Sequence, residues 1–302
     1  SAASDVYKRQ APIGEFIGFA QSLQDARISL ERLNEIHAQD DEEKDIDQKL
    51  SVLPTDRSIH IRNLSFSYSG AARDYALRNI DIDIPGQKVT AIVGESGCGK
   101  TTLLKLIQGF YLPSEGCVKV GDVNLNLINP HLWRKSTGSV MQESFIFSDT
   151  IANNIALSTD DVDVARMLHA AQMANISDFI ASLPLGYNTR IGMEGNGISA
   201  GQRQRILLAR AIYKDPEFMF FDEATNSLDA TNERIIMNNL RKCYEGKTVI
   251  ISAHRLSTIK DADQIIVLHQ GKVVEQGTHE ELLQARGYYF KLVENQMNTN
   301  TL

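Results

Sequence analysis

Nine residues, 94–102, restrict the fold of this chain more than any other stretch. Gly94-Glu95-Ser96-Gly97-Cys98-Gly99-Lys100-Thr101-Thr102 follows the apolar run Val89-Thr90-Ala91-Ile92-Val93 and precedes Leu103-Leu104-Lys105-Leu106-Ile107. The first run reads as a buried strand, the second as a helix with an apolar face that stops at Gly109. The spacing G-x-x-x-x-G-K-[ST] is that of a phosphate-binding loop, or P-loop. Its glycines let successive backbone N–H groups close around phosphates, Lys100 sets a cation against the β/γ-phosphates, and Thr101 offers a hydroxyl to Mg²⁺. The loop opens a helix, whose N-terminal dipole favours an anion. A chance glycine-rich turn would not supply strand, glycines, lysine, hydroxyl and helix in this order. The sequence therefore predicts a nucleoside-triphosphate site.

Composition sets outer limits. The 302 residues have room for one large α/β domain and an appendage. A formal net charge of −7 argues against a nucleic-acid surface, which is normally basic. Cys98, Cys117 and Cys243 are widely spaced, with no C-x-x-C pair, and fit reduced cytosolic thiols better than disulfides or zinc. No run is long and apolar enough to span a membrane, and no signal-peptide pattern is present.

Three zones follow one another along the chain. Phe16, Phe19, Leu23, Ala26, Leu30 and Leu33 recur three or four residues apart and predict one apolar helical stripe over 14–37. The acidic run 39–45 reads as a solvated linker. From about Ser58 the text is globular. Ile59-His60-Ile61-Arg62 and Ile80-Asp81-Ile82-Asp83-Ile84 alternate like strands, and residues 149–213 are helix-rich. Phe218-Met219-Phe220-Phe221-Asp222-Glu223 and Thr248-Val249-Ile250-Ile251-Ser252 are apolar strands with polar ends. Gln264–Leu268 and Gln270–Val274 read as a hairpin. Strands alternating with helices, with polar groups at the strand C-terminal ends, predict a parallel sheet with its ligand along that edge. Asp222 is placed to hold Mg²⁺ directly or through water, and Glu223 to polarise an attacking water.

Ile198-Ser199-Ala200-Gly201-Gln202-Arg203-Gln204-Arg205 is the most discriminating segment. Ser199 and Gln202 form a capping box opening a helix, and such a terminus is also an anion site. The segment resembles the signature motif of ATP-binding-cassette (ABC) ATPases, L-S-G-G-Q, with Ala200 in place of the first glycine. The resemblance assigns γ-phosphate contacts of a second subunit to Ser199, Gly201 and Gln202. It also implies that Tyr68 stacks on adenine, that Gln142 senses Mg²⁺ and water, and that Ser227-Leu228-Asp229 communicates between subunits. His254 matches the switch histidine at the γ-phosphate, and Glu194-Gly195-Asn196-Gly197 the exporter-type loop that touches transmembrane coupling helices. The resemblance thus implies that Gly94 to Thr102 cradle the nucleotide, that Lys100, Glu223 and His254 carry the chemistry, and that Thr101, Gln142 and Asp222 hold Mg²⁺. The implied fold is α/β: a P-loop NTPase core with a mostly parallel sheet, an antiparallel β-subdomain and an α-helical subdomain, preceded by an isolated helix.

The resemblance covers residues 55–295 and implies an ATP-hydrolysing motor that works as a dimer, most simply a homodimer, with the transmembrane domain of a bacterial exporter. ATP and Mg²⁺ are the expected cofactors, with the motor on the cytoplasmic face and no nucleic-acid partner. Residues 11–37 look like the cytosolic end of the last transmembrane helix, and 38–54 like the linker. Together they are most similar to peptidase-containing exporters of bacteriocin-type peptides, with a lipid or drug exporter as the alternative. A soluble ABC ATPase would lack the exporter-like helix, and an ATP-holding regulatory module would be expected to lack Glu223 or His254. Asp5-Val6-Tyr7-Lys8-Arg9-Gln10 reads as a translated sequencing adaptor, so residues 1–10 are expected to be non-native and unpacked. Cys98, near a helix N-terminus and Lys100, is expected to be a reactive thiol that ATP protects.

Overall fold

A computed structural model describes residues 2–38, 46–70, 74–157, 162–192, 197–253 and 255–299, without the side chains of 2–14, 36, 230, 256, 257, 298 and 299. The chain divides into two units, residues 1–48 and 49–302. Among its described residues the first contains the α-helix Ala2–His37, along which Phe16, Phe19, Leu23, Leu30 and Leu33 are all exposed, and a 3-10 turn, Ile46–Gln48. The predicted stripe is thus helical, with a longer helix than the periodicity alone indicated. The expectation that residues 1–10 lack packing falls on side chains outside those described. The second unit begins before residue 55, inside the expected linker. The Leu50 N–H donates to the Leu127 carbonyl, the Asn129 N–H donates to Leu50, and Leu53 is buried.

A six-stranded sheet forms the centre of the second unit. Its order is 272–277, 264–269, 89–93, 248–252, 218–222, 137–140, parallel throughout except for the edge strand Lys272–Gly277. Period-two alternation gives it two apolar faces. Ile92, Phe218, Phe220, Ile250, Ile266 and Leu268 pack with Leu103, Leu104 and Ile107 of the helix Lys100–Ile107, and with an antiparallel sheet carrying Ile59, Ile61, Ile82 and Ile84. Met219, Phe221, Val249, Ile251, Ile265 and Val267 pack on the other side with the helices Ala200–Lys214 and Ala230–Cys243, through Ile206, Leu208, Ile236 and Leu240. The predicted α/β class, hairpin and strand ends are all present.

The antiparallel sheet has the order 77–84, 59–66, 115–120, 123–124. Its alternation in the sequence fades after Arg62, and the register shows why. A bulge shifts the pairing between Ile61 and Leu64 on one side and between Arg62 and Ser65 on the other. Asn63 there takes φ 48°, and a Cβ at Gly116 would lie 2.3 Å from the carbonyl oxygens of Arg62 and Asn63. A bulge inverts the in/out pattern, so the run reads as a shorter strand than it is.

The helical layer depends on one saturated amide. Asn154 is fully buried; its Nδ2 donates to the carbonyls of Phe147 and Thr150, and its Oδ1 accepts from the Phe147 N–H and from Arg210 Nη2. Arg210 also donates to the carbonyls of Phe145 and Asn154, and burial lowers its pKa to about 10. Asn154→Leu keeps the branched shape and heavy-atom count but strips the Phe147 backbone of both partners. It should destabilise the domain by roughly 2–4 kcal/mol, read as a lower urea midpoint at unchanged m-value.

Candidate active site

The C-terminal edge of the central sheet gathers most of the predicted residues. Gly94, Gly97 and Gly99 take φ of 154°, 78° and 108°, conformations that favour glycine. A Cβ at Gly94 would lie 2.2 Å from the Leu268 carbonyl oxygen and one at Gly99 2.7 Å from the Leu77 side chain. The loop is therefore walled by the 264–277 hairpin and the antiparallel sheet. Its back is fixed by the Gly271 N–H, which donates to the Cys98 carbonyl at 3.1 Å. Lys100, buried, points into the loop and donates from Nζ to the carbonyls of Gly94 (2.9 Å) and Glu95 (3.0 Å). Ser96 and Thr102 complete the run, with Thr102 buried in the first turn of the helix.

Across from the loop, the Thr101 hydroxyl donates to Asp222 Oδ2 at 2.6 Å. Asp222 is buried, and its Oδ1 has no hydrogen-bond partner among the described residues. A hard cation takes oxygen ligands, and an orphan carboxylate oxygen beside a threonine hydroxyl fits Mg²⁺. Glu223 next to it holds the left-handed φ of 53°, fixed by its N–H donating to the Ser252 carbonyl at 3.0 Å. That turn swings its carboxylate off the strand line, where Asn226 Nδ2 donates to it at 2.6 Å. Gln142 lies in an exposed turn two residues beyond Val140, whose register partner is Phe221, so it stands on the same edge as Asp222.

Tyr68 stands beside the loop: its hydroxyl is 3.1 Å from Thr102 Oγ1 and its ring is 57% exposed. Edge contacts to Phe66 (4.9 Å) and Tyr111 (5.4 Å) hold the ring upright, leaving a face open for stacking. Tyr111 was not predicted from the sequence; it follows the P-loop helix in an unpatterned run. Ser252 is visible in the sequence only as the end of an apolar strand.

A second group forms around the helix Ala200–Lys214. Ser199 caps it: Ser199 Oγ accepts from the Gln202 N–H at 3.2 Å and the Gln202 side chain accepts from the Ser199 N–H at 2.8 Å. A Cβ at Gly201 would lie 3.2 Å from the Ser227 carbonyl oxygen, so the helix start rests on Ser227-Leu228-Asp229. Asp229 caps the next helix, accepting from the N–H groups of Thr231 (3.1 Å) and Asn232 (3.0 Å), a role the sequence reading did not give it. Arg203 Nη2 donates to the Ser144 carbonyl, and Ser144 Oγ accepts from the Met141 N–H, which ties this helix to the Gln142 turn. Among the described residues no hydrogen bond joins Ser199, Gly201 or Gln202 to the P-loop.

Two expectations change or fall outside. Cys98 is buried, and burial pushes its thiol pKa up, outweighing the Lys100 ammonium that pulls it down. The reactive thiolate expected from loop position alone is corrected: desolvation exceeds the nearby positive charge. His254 and Glu194-Gly195-Asn196 lie outside the described residues. Its neighbour Arg255 pairs with Glu233, which also accepts from Thr225 at 3.3 Å, anchoring that segment to the helix Ala230–Cys243.

The chain is similar to known proteins in sequence and in fold. Residues 77–226 match the family model described as "ABC transporter". The leukotoxin translocation ATP-binding proteins LktB of Mannheimia glucosida and Mannheimia haemolytica are each 42% identical over 289 residues, 95% of this chain. The chain spans 40% of their length. A solved bacterial Atm1-family ABC exporter with ATP bound is 35% identical, with a TM-score of 0.83 over 90% of this chain and 47% of that one. With motif order, sheet topology and these likenesses in agreement, residues 77–226 carry the ATP-binding domain of the ABC transporter family.

Proposed function

We propose that this chain is the ATP-driven motor of a membrane exporter and works as a head-to-tail pair. The observation that carries the reading is the division of the site. One group of residues (Tyr68, Gly94 to Thr102, Asp222, Glu223) is built to hold a nucleotide. The other (Ser199, Gly201, Gln202) is a capped helix terminus suited to an anion but not bonded to the first. Two copies facing one another complete two sites, most simply as a homodimer.

In each site Tyr68 stacks on the adenine, and the loop N–H groups and Lys100 hold the β/γ-phosphates. Thr101 and Asp222, with Gln142 on the same edge, would hold Mg²⁺, and the ion would supply positive charge to the phosphate oxygens. Glu223 orients and deprotonates the attacking water, and His254 steadies charge on the transferring group. Ser199 and the Gly201 backbone meet the γ-phosphate of the other copy. Asp229 keeps its capping role and holds the loop against Gly201. The partner transmembrane domain belongs to the same exporter, and the motor lies on the cytoplasmic side of the membrane. The leukotoxin-translocation relatives favour a peptide or protein cargo over lipids or drugs.

Glu223→Gln should retain ATP binding and lose nearly all turnover, because the amide does not accept the water's proton. Saturating Mg·ATP should then drive the variant into dimers seen by sedimentation. ATPase activity within a few-fold of the parent, or persistent monomers, would sink the assignment. Ser199→Arg should inactivate while monomers still bind nucleotide with parental affinity. Mixed with Lys100→Ala it should recover at most the activity of a single complete site per heterodimer. A loss of ATP affinity in the isolated Ser199→Arg monomer contradicts the shared site.

A further inference from the structure

Two polar side chains lie next to one another at the end of the central strands. Asp222 and Ser252 are register partners across adjacent parallel strands, so their side chains share one face of the sheet. That face also carries Phe220 and Ile250 towards the P-loop helix. Both residues are buried, at 1% and 0% exposure. Asp222 Oδ2 takes the Thr101 hydroxyl, while Asp222 Oδ1 and Ser252 Oγ have no hydrogen-bond partner among the described residues.

Buried polar atoms in native proteins are nearly always satisfied, so two adjacent orphans require an explanation. Packing does not call for the hydroxyl. Residues 249–251 of the strand are apolar and buried, and an apolar side chain would serve equally at 252. Thr248, at the other end of the strand, is fully engaged: its Oγ1 donates to the Arg57 carbonyl and accepts from the Gln87 N–H, each at 2.9 Å. Only the end facing Thr101 carries an idle hydroxyl. The Ser252 backbone meanwhile takes the Glu223 N–H at 3.0 Å, so this one residue adjoins both carboxylates of the pair.

We infer that Ser252 is a positioning residue of the Mg²⁺ site, its hydroxyl holding a water of the ion's hydration shell beside Asp222. The inference rests on the Mg·ATP reading proposed above. Bound Mg²⁺ dehydrates reluctantly and keeps several waters when protein carboxylates and phosphates supply the remaining ligands. Those waters need acceptors, and outer-shell groups orient the ion. A hydroxyl that both accepts and donates suits that place, next to a carboxylate oxygen that only accepts.

The test uses the full chain in the Glu223→Gln background, so that ATP stays intact. ATP affinity is measured by calorimetry with Mg²⁺ and again in EDTA, with and without Ser252→Ala. Mg·ATP binding should weaken roughly two- to tenfold, the range for one lost hydrogen bond, with affinity in EDTA unchanged. The melting midpoint without nucleotide should not fall, because Ser252→Ala removes only an unpartnered hydroxyl. Ser252→Thr, which keeps the hydroxyl, should restore the Mg²⁺-dependent increment. Equal losses with and without Mg²⁺, no loss at all, or a lowered nucleotide-free midpoint would each overturn the role. A parent chain whose ATP affinity ignores Mg²⁺ would instead remove the Mg·ATP reading beneath it, and the inference with it.

Discussion

The hydrogen bond from Thr101 to Asp222 joins the two halves of the chemistry. Thr101 lies in the first turn of the helix Lys100–Ile107 that follows the P-loop, and Asp222 ends a strand two places away in the sheet. The bond forms only if strands 89–93 and 218–222 end at the same level with 248–252 between them, as the parallel register provides. Everything placed at that edge inherits the alignment, including the Glu223 turn, the Gln142 turn and Ser252. The apolar faces beneath are what keep the strands level, so the core sets the precision of the site.

The helical layer is organised differently, through donors that seek carbonyls. Arg203, Arg205 and Arg210, all on the helix Ala200–Lys214, donate to backbone oxygens of Ser144, Asn175, Phe145 and Asn154. Guanidinium groups that spend their hydrogen bonds on carbonyls fix irregular backbone in place. The repeated arginines after the signature thus have a structural duty in addition to their place in the motif.

Much of this was legible because local chemistry and global fold agree. The P-loop spacing, the capping box of Ser199 with Gln202, and the apolar strands ending in Asp222 and Ser252 each leave a short-range pattern that tertiary packing does not alter. The antiparallel sheet was less legible, because the bulge at Asn63 and Gly116 inverts alternation partway along a strand. The start of the second unit is hard to see in the sequence, since Leu50 is held by the backbone of Leu127 and Asn129, distant in sequence, and Leu53 by burial in the core. Cys98 was misjudged because proximity to Lys100 is visible in sequence, whereas desolvation depends on the walls that close around the loop. Tyr111 and the free oxygens of Asp222 and Ser252 emerge only once strands and loops are placed.

The Arg203–Ser144 bond gives the helix Ala200–Lys214 a pivot near its first turn. Fifteen helical residues extend about 22 Å at 1.5 Å per residue. From Arg203 to Lys214 the rod is about 16 Å long, so a tilt of about 10° about that bond would carry the far end through roughly 3 Å. Arg205 and Arg210 tie the same rod further along to the carbonyls of Asn175, Phe145 and Asn154, so a tilt that moves the Gln142 turn must carry those segments with it.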